Sequence, residues 1–396
     1  MSKNNFPLGQ DVHDADDITK MIGTLLSEKF TMGEQVEKFE KMFAEYMGVK
    51  YAVMVNSGSS ANLLALSALT NYKCNKLNPG DEVLVPAVCW STSVFPIIQC
   101  NLKPIFVDVD PKTLNIDLDD LKNKITNKTK AIMLVHVLGN STNMEKLMEI
   151  MNKHNLILIE DTCESLGSTY NNQYLGTFGC MGTYSFYYSH HITCVEGGMV
   201  ITNDDQYYEL VKCLRAHGWT RSMKDKEQIH KEFSDIDPRF TFVNLGYNVR
   251  PMEIQGTMGI SQLHKLKSKN DNRKINYNNI KGKIEGDPRN KFLSFPKEIE
   301  GGDIAWFGIT LFLDEGIKLS EYLDYLTNNK VENRPIITGN MIRQPVIKDL
   351  YPDLNPLDFK GAEYCHFRGC FIGLPSSLMS DDLVVELVDI LLNYKS

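Results

Sequence analysis

The stretch YAVMVNSGSSANLLALSAL, residues 51–69, has the form of a buried strand, a turn of small residues and a helix. An unbroken apolar run is typical of a strand covered on both faces, and the leucines and alanines after the turn recur at helical spacing. The alternation continues along the chain. EVLVP precedes STSVFPIIQC, PIFVDVD precedes LDDLKNKI, KAIMLVHV precedes NMEKLMEIMNKHN, and LILIED follows. The sequence therefore predicts an α/β fold with a large, doubly wound, mostly parallel sheet, whose ligands bind at the carboxyl ends of the strands.

The pattern changes after about Gly256. The stretches KGKIEGDPRNKF (281–292) and EGGDIAWFG (300–308) are typical of loops, whereas ITLFL and LVVELVDILLNY are typical of a strand and a helix. We therefore predict a large domain over residues 1–256, which includes an N-terminal segment, and a smaller C-terminal α+β domain over residues 257–396.

Composition argues against several classes of protein. The 396 residues carry a formal net charge of −8, so we expect no nucleic-acid partner, because such proteins need a basic surface. The sequence contains no run of about 18 apolar residues, so no membrane helix is predicted. The first ten residues, MSKNNFPLGQ, lack the pattern of a secretory signal. Nine scattered cysteines without a C-x-x-C pair indicate reduced thiols in a cytoplasmic protein, and no metal site is expected.

Three predicted strand ends carry residues that suit a ligand site. The turn NSGSSAN (56–62) opens a helix whose free N–H groups can bind phosphate next to Gly58 and Ser59, although a plain connection is the alternative. Asp161 ends the strand LILIED, where a carboxylate could cap a helix, bind a metal or hold a cationic ring nitrogen. Trp90 follows the strand EVLVP, where an indole either packs in the core or stacks on a planar ligand.

The stretch SFYYSHHITCVEGG (185–198) places two histidines between a strand-like run and a Glu-Gly-Gly turn. A single histidine is more often structural than catalytic, but two in a row before such a turn leave a structural and a functional role equally open. Adjacent side chains diverge, so we expect His190 to face the ligand. His191 is then structural, with an indirect contact to the site.

Together these segments resemble the pyridoxal-phosphate site of the DegT-type nucleotide-sugar aminotransferases, which have the aspartate aminotransferase-like fold type I. The resemblance covers nearly the whole chain. It rests on FTMGEQVEKFE, VNSGSSANLLAL, VPAVCWSTSV, EDTCESLGS, GTFGCMGTYSF, VEGGMVITND, LRAHGWTR, GYNVRPMEIQG and RPIITGN. Within that family the chain resembles the lysine-less sugar dehydratases, because His190 of SHHIT replaces the lysine that normally binds the cofactor covalently. The family implies a homodimer with an active site shared between its subunits.

The resemblance implies a role for each site residue. Asp161 pairs with the ring nitrogen of the cofactor, Trp90 stacks on the ring, and Glu164 replaces a family glutamine that touches the ring hydroxyl. The cofactor phosphate is held by Gly58, Ser59, Ser185 and, from the partner subunit, Asn248. The candidate contacts to the sugar nucleotide are His217, Arg221, Arg250 and Arg334. Guanidinium groups match a diphosphate, although each arginine could instead form a surface ion pair. The loop FTMG, 30–33, is expected to cover the sugar.

The resemblance also implies the reaction. Pyridoxamine phosphate would condense with the C4 ketone of a nucleotide-linked 4-keto-6-deoxy sugar, expected to be GDP-4-keto-6-deoxymannose, and the C3 hydroxyl would leave. His190 would be the general base, because an imidazole forms no stable covalent link to the cofactor and its unperturbed pKa of about 6.5 suits proton transfer. L-Glutamate would then restore the amine. The product would enter the synthesis of colitose-type deoxysugars of lipopolysaccharide.

Three alternatives stay open at this point. An iron–sulfur CDP-sugar 3-dehydrase would need about four clustered cysteines, but the C-terminal third has only Cys365 and Cys370. An ordinary aminotransferase would need a replacement lysine, and the nearest one downstream, Lys212, lies in a predicted helix. A non-catalytic protein that binds the cofactor or a nucleotide sugar is the third alternative, and the full set of site residues argues against it.

Overall fold

The alternating strands and helices of the first half of the chain build one large sheet. The computed structural model describes residues 5–9 and 13–395. Its strands are β1 (Tyr51–Val55), β2 (Glu82–Pro86), β3 (Lys103–Val107), β4 (Thr129–Val135), β5 (Ile157–Asp161), β6 (Thr169–Tyr170), β7 (Gln173–Tyr174), β8 (Met181–Ser185), β9 (Gly198–Thr202), β10 (Leu293–Ser294), β11 (Gly302–Asp303), β12 (Ile309–Leu313), β13 (Asn333–Pro335) and β14 (Gly369–Ile372). Its helices are α1 (Ala15–Leu26), α2 (Glu34–Met47), α3 (Gly58–Thr70), α4 (Ser91–Gln99), α5 (Leu118–Lys124), α6 (Met144–His154), α7 (Asp205–Arg215), α8 (Lys226–Glu232), α9 (Glu253–Gly286), α10 (Leu319–Asn328), α11 (Pro345–Leu350), α12 (Lys360–Arg368) and α13 (Asp381–Leu392). Residues 1–4 and 10, part of the stretch without a signal pattern, lie outside the described residues.

The large sheet has seven strands in the order β1-β9-β8-β5-β4-β2-β3. All neighbours from β8 to β3 pair in parallel, whereas β9 runs antiparallel between β8 and β1. Successive residues enter cores on opposite faces: Val83 and Val85 pack with α3 and α4, and Leu84 packs with α6. The predicted doubly wound, mostly parallel sheet is confirmed, and the carboxyl ends of β1, β2, β5 and β8 lie along one edge.

The second half of the chain forms a smaller antiparallel sheet in the order β10-β12-β14-β13. Helices α10 and α13 contribute to its core together with Trp306 and Tyr277. Phe6 belongs to the same core and forms a bridge with Val331, so the first described residues lie against the last third of the chain. A third sheet, β11-β6-β7, joins a strand of the second half to a hairpin of the first.

Helix α9 differs most from the sequence expectation. The loop expected over residues 281–292 is wrong for its first half, because residues 281–286 continue this 34-residue helix. The glycines of α9 explain why the sequence pattern did not predict the full helix. A Cβ at Gly256 would lie 2.7 Å from the Val36 nitrogen, and one at Gly259 would lie 2.5 Å from the Phe39 ring, so both glycines allow α2 to pack closely. Gly282 has open space around it and is tolerated at a cost of about 1 kcal/mol relative to alanine.

Helix α9 also crosses the expected domain division. Residues 256 and 257 lie in its first turns, and the helix packs against α1 and α2 of the first part and against α13 of the second. The division therefore stays a prediction. None of the described helices combines the length and the apolar character needed to span a membrane.

Candidate active site

The turn between β1 and α3 packs tightly against the end of β8. Ser57 is the N-cap of α3, and its side chain accepts a hydrogen bond from the Ser60 N–H. Gly58 begins the helix, and a Cβ at this position would lie only 2.6 Å from the Cβ of Ser185. Glycine is therefore required here, and the contact brings the hydroxyls of Ser59 and Ser185 to one helix N-terminus. Free N–H groups and the helix dipole attract phosphate at such a place.

Asp161 ends β5 with a buried carboxylate that accepts hydrogen bonds from neutral groups. Its Oδ2 accepts from Asn62 Nδ2 at 2.8 Å and from Ser93 Oγ at 2.7 Å, and its Oδ1 accepts from the Cys163 N–H at 3.2 Å. The ion pairs among the described residues do not include Asp161. A buried carboxylate without a cationic partner is costly, so the site suits a cation supplied by a ligand.

Two alternatives for Asp161 do not fit this geometry. The chain after β5 enters turns and then β6, so there is no helix for Asp161 to cap. Among the described residues, the one group of side chains close enough to share a metal ion is Asp14, Asp16 and Asp17 at the start of α1. Lys265 already forms ion pairs with these three carboxylates.

Glu160, the other carboxylate at this strand end, has a structural role. It is fully buried, and Nε2 of His136 lies 3.2 Å from its Oε2. It also accepts backbone N–H hydrogen bonds, at 2.7–2.8 Å, from Gly176, Phe178 and Gly179. These bonds fold the segment before β8 against β5. The carboxylate of Glu160 is therefore occupied by hydrogen bonds within the chain.

Glu164 lies three residues after Asp161, in a half-buried position. Its Oε2 accepts a hydrogen bond from the Leu138 N–H at 2.9 Å. Leu138 is buried and has a left-handed φ of 50°, so the turn that presents this N–H is strained. Burial and the nearby Asp161 charge raise the pKa of Glu164 to about 7, although the Leu138 bond opposes them. Near neutral pH Glu164 can therefore donate or accept a hydrogen bond.

Trp90 is the N-cap residue of α4, and 56% of its surface is exposed. The next residues of the same turn tie it to the other candidates. Thr92 Oγ1 lies 2.9 Å from Ser59 Oγ, and Ser93 holds Asp161. Trp90 is therefore not a core residue, and its indole face is available to a planar ligand.

His190 and His191 follow β8 in a segment without regular structure. His191 is buried, and its Nε2 donates a hydrogen bond to the Ala305 carbonyl at 2.9 Å. His190 packs edge-to-face on Phe307 and on Tyr187, with ring centroids 5.0 Å and 5.9 Å away. Its Nδ1 is buried and has no hydrogen-bond partner among the described residues. The two histidines therefore differ in role, since one is tied to the backbone and the other is held by aromatic rings.

The unperturbed pKa assumed for His190 does not apply in the ligand-free chain. Burial, followed by the charge of Arg273, lowers the pKa of His190 and of His191 to about 3. Both imidazoles are therefore neutral at pH 7, and His190 has a free ring lone pair. A bound phosphate would raise the pKa of His190, because nearby negative charge favours the imidazolium.

Four predicted site residues gather around Trp219. The His217 ring lies 5.0 Å from it, and the guanidinium groups of Arg221 and Arg250 lie 4.1 Å and 5.8 Å from its ring centroid. Asn248 Oδ1 accepts a hydrogen bond from Arg250 Nε at 3.0 Å. Neither guanidinium has a carboxylate partner among the described residues, so the ion-pair alternative does not describe them.

Arg334 lies apart from that cluster. It is exposed on β13 of the smaller sheet and pairs with Glu332 at 2.9 Å, as in the ion-pair alternative. Lys212 lies in α7 as predicted, with its ammonium 4.7 Å from the ring centroid of Tyr208. Tyr208 stacks on Tyr51, the first residue of β1, so Lys212 lies toward the edge opposite to the strand carboxyl ends.

Sequence reasoning missed the residues that position Asp161. Asn62 and Ser93 hold its carboxylate, and the Thr183 hydroxyl donates to Asn62 Oδ1 at 2.6 Å. The available signal for Asn62 was an amide side chain one helical turn after Gly58, on the helix that follows the small-residue turn. The assembled site suits a planar, phosphorylated heterocycle with a cationic nitrogen, since it offers an unpaired buried carboxylate, an exposed indole and a helix N-terminus with two hydroxyls.

Comparison with known proteins identifies such a family. The sequence matches the DegT/DnrJ/EryC1/StrS aminotransferase family over residues 11–389. The chain belongs to this family. GDP-4-keto-6-deoxy-D-mannose 3-dehydratase of Yersinia pseudotuberculosis is 42% identical over 373 residues, which cover 93% of this chain and 94% of that protein.

Solved structures of similar proteins agree. The E. coli GDP-4-keto-6-deoxy-D-mannose 3-dehydratase with bound hydrated PLP has a TM-score of 0.91 and 39% identity, covering 98% of this chain and 100% of that one. A GDP-4-keto-6-deoxymannose 3-dehydratase with a trapped PLP–glutamate geminal diamine has a TM-score of 0.90, with the same identity and coverage. The expected DegT-type family and its aspartate aminotransferase-like fold are thus confirmed.

Proposed function

We propose that this DegT-family chain is a pyridoxamine-phosphate-dependent 3-dehydratase. It removes the C3 hydroxyl of a nucleotide-linked 4-keto-6-deoxy sugar, with GDP-4-keto-6-deoxymannose as the expected substrate, in colitose-type deoxysugar synthesis. The observation that carries the proposal is His190, which follows β8 where the family's aminotransferases carry a lysine. The names of the similar proteins support the substrate, and the trapped PLP–glutamate adduct of one relative supports glutamate as the amine donor.

The cofactor roles follow from the contacts of each residue. When bound, pyridoxamine phosphate would supply the amine that condenses with the C4 ketone and an electron-withdrawing ring that makes its methylene protons acidic, so that the electron pair released on deprotonation can expel the C3 hydroxyl. Asp161 holds a proton on the ring nitrogen, because a buried carboxylate without a cationic partner stabilises an N–H⁺ group. Trp90 covers the ring face, and Glu164 bonds the ring hydroxyl. The phosphate ligands are Gly58, Ser59, Ser185 and Asn248 of the partner subunit.

His190 is the proposed general base. Its Nδ1 is buried, so Nε2 is the nitrogen that accepts a proton from the reacting groups and returns it to the departing hydroxyl. The ring is neutral in the ligand-free chain and is therefore able to accept. General base catalysis of this kind contributes about 10²–10⁴-fold to the rate.

The cluster around Trp219 is the proposed site of the sugar nucleotide. Arg221 and Arg250 lack carboxylate partners among the described residues and suit a diphosphate, and His217 suits a sugar hydroxyl. Arg334 would have to exchange its Glu332 partner for the ligand. Loop 30–33, proposed to cover the sugar, is tied to the start of α9, because the Gly33 N–H donates to Glu253 at 2.6 Å.

We also propose a homodimer. Large apolar side chains are exposed on α1, before α2 and between α8 and α9 in the isolated chain. They include Ile22, Leu26, Phe30, Phe242 and Leu245, of which Leu245 is 86% exposed. Large apolar side chains exposed in an isolated chain are typical of residues that a partner subunit covers. The cytoplasmic location also stays a proposal, supported by nine cysteines that are all free thiols.

A product assay tests the function. The purified protein is mixed with GDP-4-keto-6-deoxymannose, pyridoxal phosphate and glutamate, and the sugar is followed by mass spectrometry while ammonia and 2-oxoglutarate are quantified. We expect a sugar lighter by one oxygen and both small products, with the signal lost in His190→Asn. Net transfer of an amino group to the sugar would instead make the chain an aminotransferase. Absence of both reactions and of cofactor binding would favour the non-catalytic alternative.

A mixing experiment tests the shared site. His190→Asn and Asn248→Asp chains are each expected to be nearly inactive. If each site combines His190 of one subunit with Asn248 of the other, a mixed dimer contains one site with both native residues. Mixing the two variants should then restore part of the activity, whereas sites confined to one chain would stay inactive in every mixture.

A further inference from the structure

Segment 305–307, Ala-Trp-Phe, comes from the second half of the chain but is fixed by the surroundings of the two histidines. Both of its outer residues use their backbone N–H and C=O groups fully. The four hydrogen bonds are Ala305 N–H to Ser168 Oγ (2.9 Å), His191 Nε2 to the Ala305 carbonyl (2.9 Å), Phe307 N–H to the Leu138 carbonyl (3.0 Å) and Arg273 Nη1 to the Phe307 carbonyl (3.1 Å). Four separate parts of the chain therefore determine where this segment lies.

Its neighbours leave it little room to move. Gly139 has a φ of +99°, and a Cβ there would lie 2.3 Å from the Ala305 carbonyl oxygen, so the two backbones are in direct contact. The Trp306 indole stacks on Tyr277 at 4.9 Å and donates a hydrogen bond to Glu298 at 2.9 Å. With Trp306 anchored in the core of the smaller sheet, the Phe307 ring is directed to the histidines.

The Phe307 ring contacts both imidazoles. Its centroid lies 5.0 Å from that of His190, with 79° between the planes, and 5.8 Å from that of His191. A catalytic histidine is usually oriented by a hydrogen bond on its second nitrogen. His190 has no such bond on Nδ1 within the described part of the chain, so an aromatic contact takes the place of the orienting hydrogen bond.

We propose that Phe307 is a positioning residue, whose ring fixes the orientation of the His190 imidazole and keeps water away from its Nδ1. This inference rests on the proposed function, in which His190 is the base. The same backbone acts on Glu164, because the Phe307 N–H holds the Leu138 turn whose own N–H bonds that carboxyl. One segment of the second half thus sets the geometry of two polar groups of the site.

The contact also controls the charge state of His190. The titratable or charged groups that face it are Tyr187, His191 and, from α9, Arg273. Burial is the main cause of the lowered pKa of His190. A smaller side chain at position 307 would admit water, and the pKa of His190 would rise toward its ordinary value.

The test compares Phe307→Leu with Phe307→Tyr and with Phe312→Leu. Phe312 is a matched control, because it is a buried aromatic of β12 whose ring contacts Tyr364 at 5.2 Å and, among the described residues, forms no ring contact with a histidine. We expect Phe307→Leu to lower kcat about 10–100-fold, as a misplaced catalytic group does, with KM for the sugar nucleotide within about twofold. The acid limb of its kcat–pH profile should move to higher pH. Phe307→Tyr keeps an aromatic ring and should retain most of kcat. Phe312→Leu should change only the free energy of unfolding.

A second readout needs no substrate. The chain has nine histidines, so ¹³C-labelled histidine NMR of the cofactor-free protein can follow His190, with His190→Asn for assignment. Its imidazole should stay neutral down to pH 5 in the unchanged chain and titrate above pH 5 in Phe307→Leu. If Phe307→Leu does not fold, Phe307→Met is expected to give the same loss and the same titration.

The outcomes separate the two proposals. An unchanged chain without 3-dehydratase activity would refute the proposed function, while the NMR titration would still test the Phe307 contact. If the unchanged chain is active, but Phe307→Leu and Phe312→Leu have the same kcat and the same pH profile, the positioning role is overturned. An unaltered His190 titration in the Phe307 variants would overturn it as well.

Discussion

Replacing Asp161 with asparagine removes the charge of the site while keeping its shape. The new amide must place an NH₂ group where an oxygen now accepts hydrogen bonds, either from Asn62 and Ser93 or from the Cys163 N–H. In either orientation, the NH₂ group of the new amide faces a hydrogen-bond donor and not an acceptor. If Asn62 turned to accept instead, its Oδ1 would lose the Thr183 hydroxyl, now at 2.6 Å, and its Nδ2 would lose the Thr92 carbonyl, now at 3.1 Å. At least one buried donor is therefore left without a partner.

The structure gives the size of two separate effects of Asp161→Asn. A buried donor left unpaired lowers the free energy of unfolding by about 1–3 kcal/mol. The lost charge-assisted bond to the cofactor nitrogen is worth about 1.5–3 kcal/mol, which corresponds to about 10–150-fold in cofactor affinity. Turnover should fall further than affinity, because an unprotonated ring is a weaker electron acceptor.

Asp108→Asn is the matched control. Asp108 follows β3 at the same sheet edge, but it accepts the N–H groups of Gly361 and Ala362, both at 2.8 Å, and so caps α12. We expect this variant to lose stability in urea and to keep its affinity for pyridoxal phosphate in an absorbance titration. If Asp161→Asn binds the cofactor within twofold of the unchanged protein, or if Asp108→Asn loses as much affinity, the assignment of the ring nitrogen to Asp161 is refuted.

Three further predictions concern single features of the fold and site. Glu164 has a pKa raised from 4.5 to about 7, so its contribution to stability is present below pH 4.5 and lost as pH rises through 7. The expected loss is about 1–2 kcal/mol of the free energy of unfolding, after discounting for partial exposure. Glu164→Gln should remove this loss when urea unfolding is compared at pH 4.5 and pH 8. Glu40→Gln should lower the free energy of unfolding by about 3–5 kcal/mol in the same assay, because Arg215 is left buried without the carboxylate that now lies 2.5 Å away. Adding Arg215→Met should recover part of the lost stability. Gly58→Ala forces a Cβ into β8 and should weaken pyridoxal-phosphate binding in an absorbance titration, whereas Gly282→Ala, in open space, should not.

The parts of the fold that depend on local patterns were predictable. Apolar runs of strand length with helical segments between them require a parallel sheet covered on both faces, and the parallel strands place their carboxyl ends together. Asp161 and Ser185 end two neighbouring strands, so their arrival at one edge follows from the sequence. Trp90 follows the end of β2, as the sequence pattern predicted, while its contact with a planar ligand stays a prediction.

Features that depend on distant contacts were not predictable. Helix α9 contains Gly256 and Gly259, whose presence is explained only by the close packing of α2 against them. Asn62 and Ser93 meet Asp161 across 99 and 68 residues of sequence, and no local pattern signals those pairs. The ordinary pKa expected for His190 does not hold in the ligand-free chain, because burial and then the charge of Arg273 lower it. Phe307 and Arg273 are distant from His190 in sequence, so no local pattern signals their effect.

The adjacent histidines are best understood as a pair with divided tasks. A carbonyl can only accept a hydrogen bond, so His191 must carry its proton on Nε2 to bond Ala305, and that bond fixes its ring. Since His191 helps to hold segment 305–307, and Phe307 of that segment contacts the His190 ring, one histidine helps to position the other. A lysine at position 190 would need no such arrangement, because the covalent bond to the cofactor would fix its end. A base that is never bonded to the cofactor must be oriented by the protein alone, and this explains why the second half of the chain reaches into the site at this point.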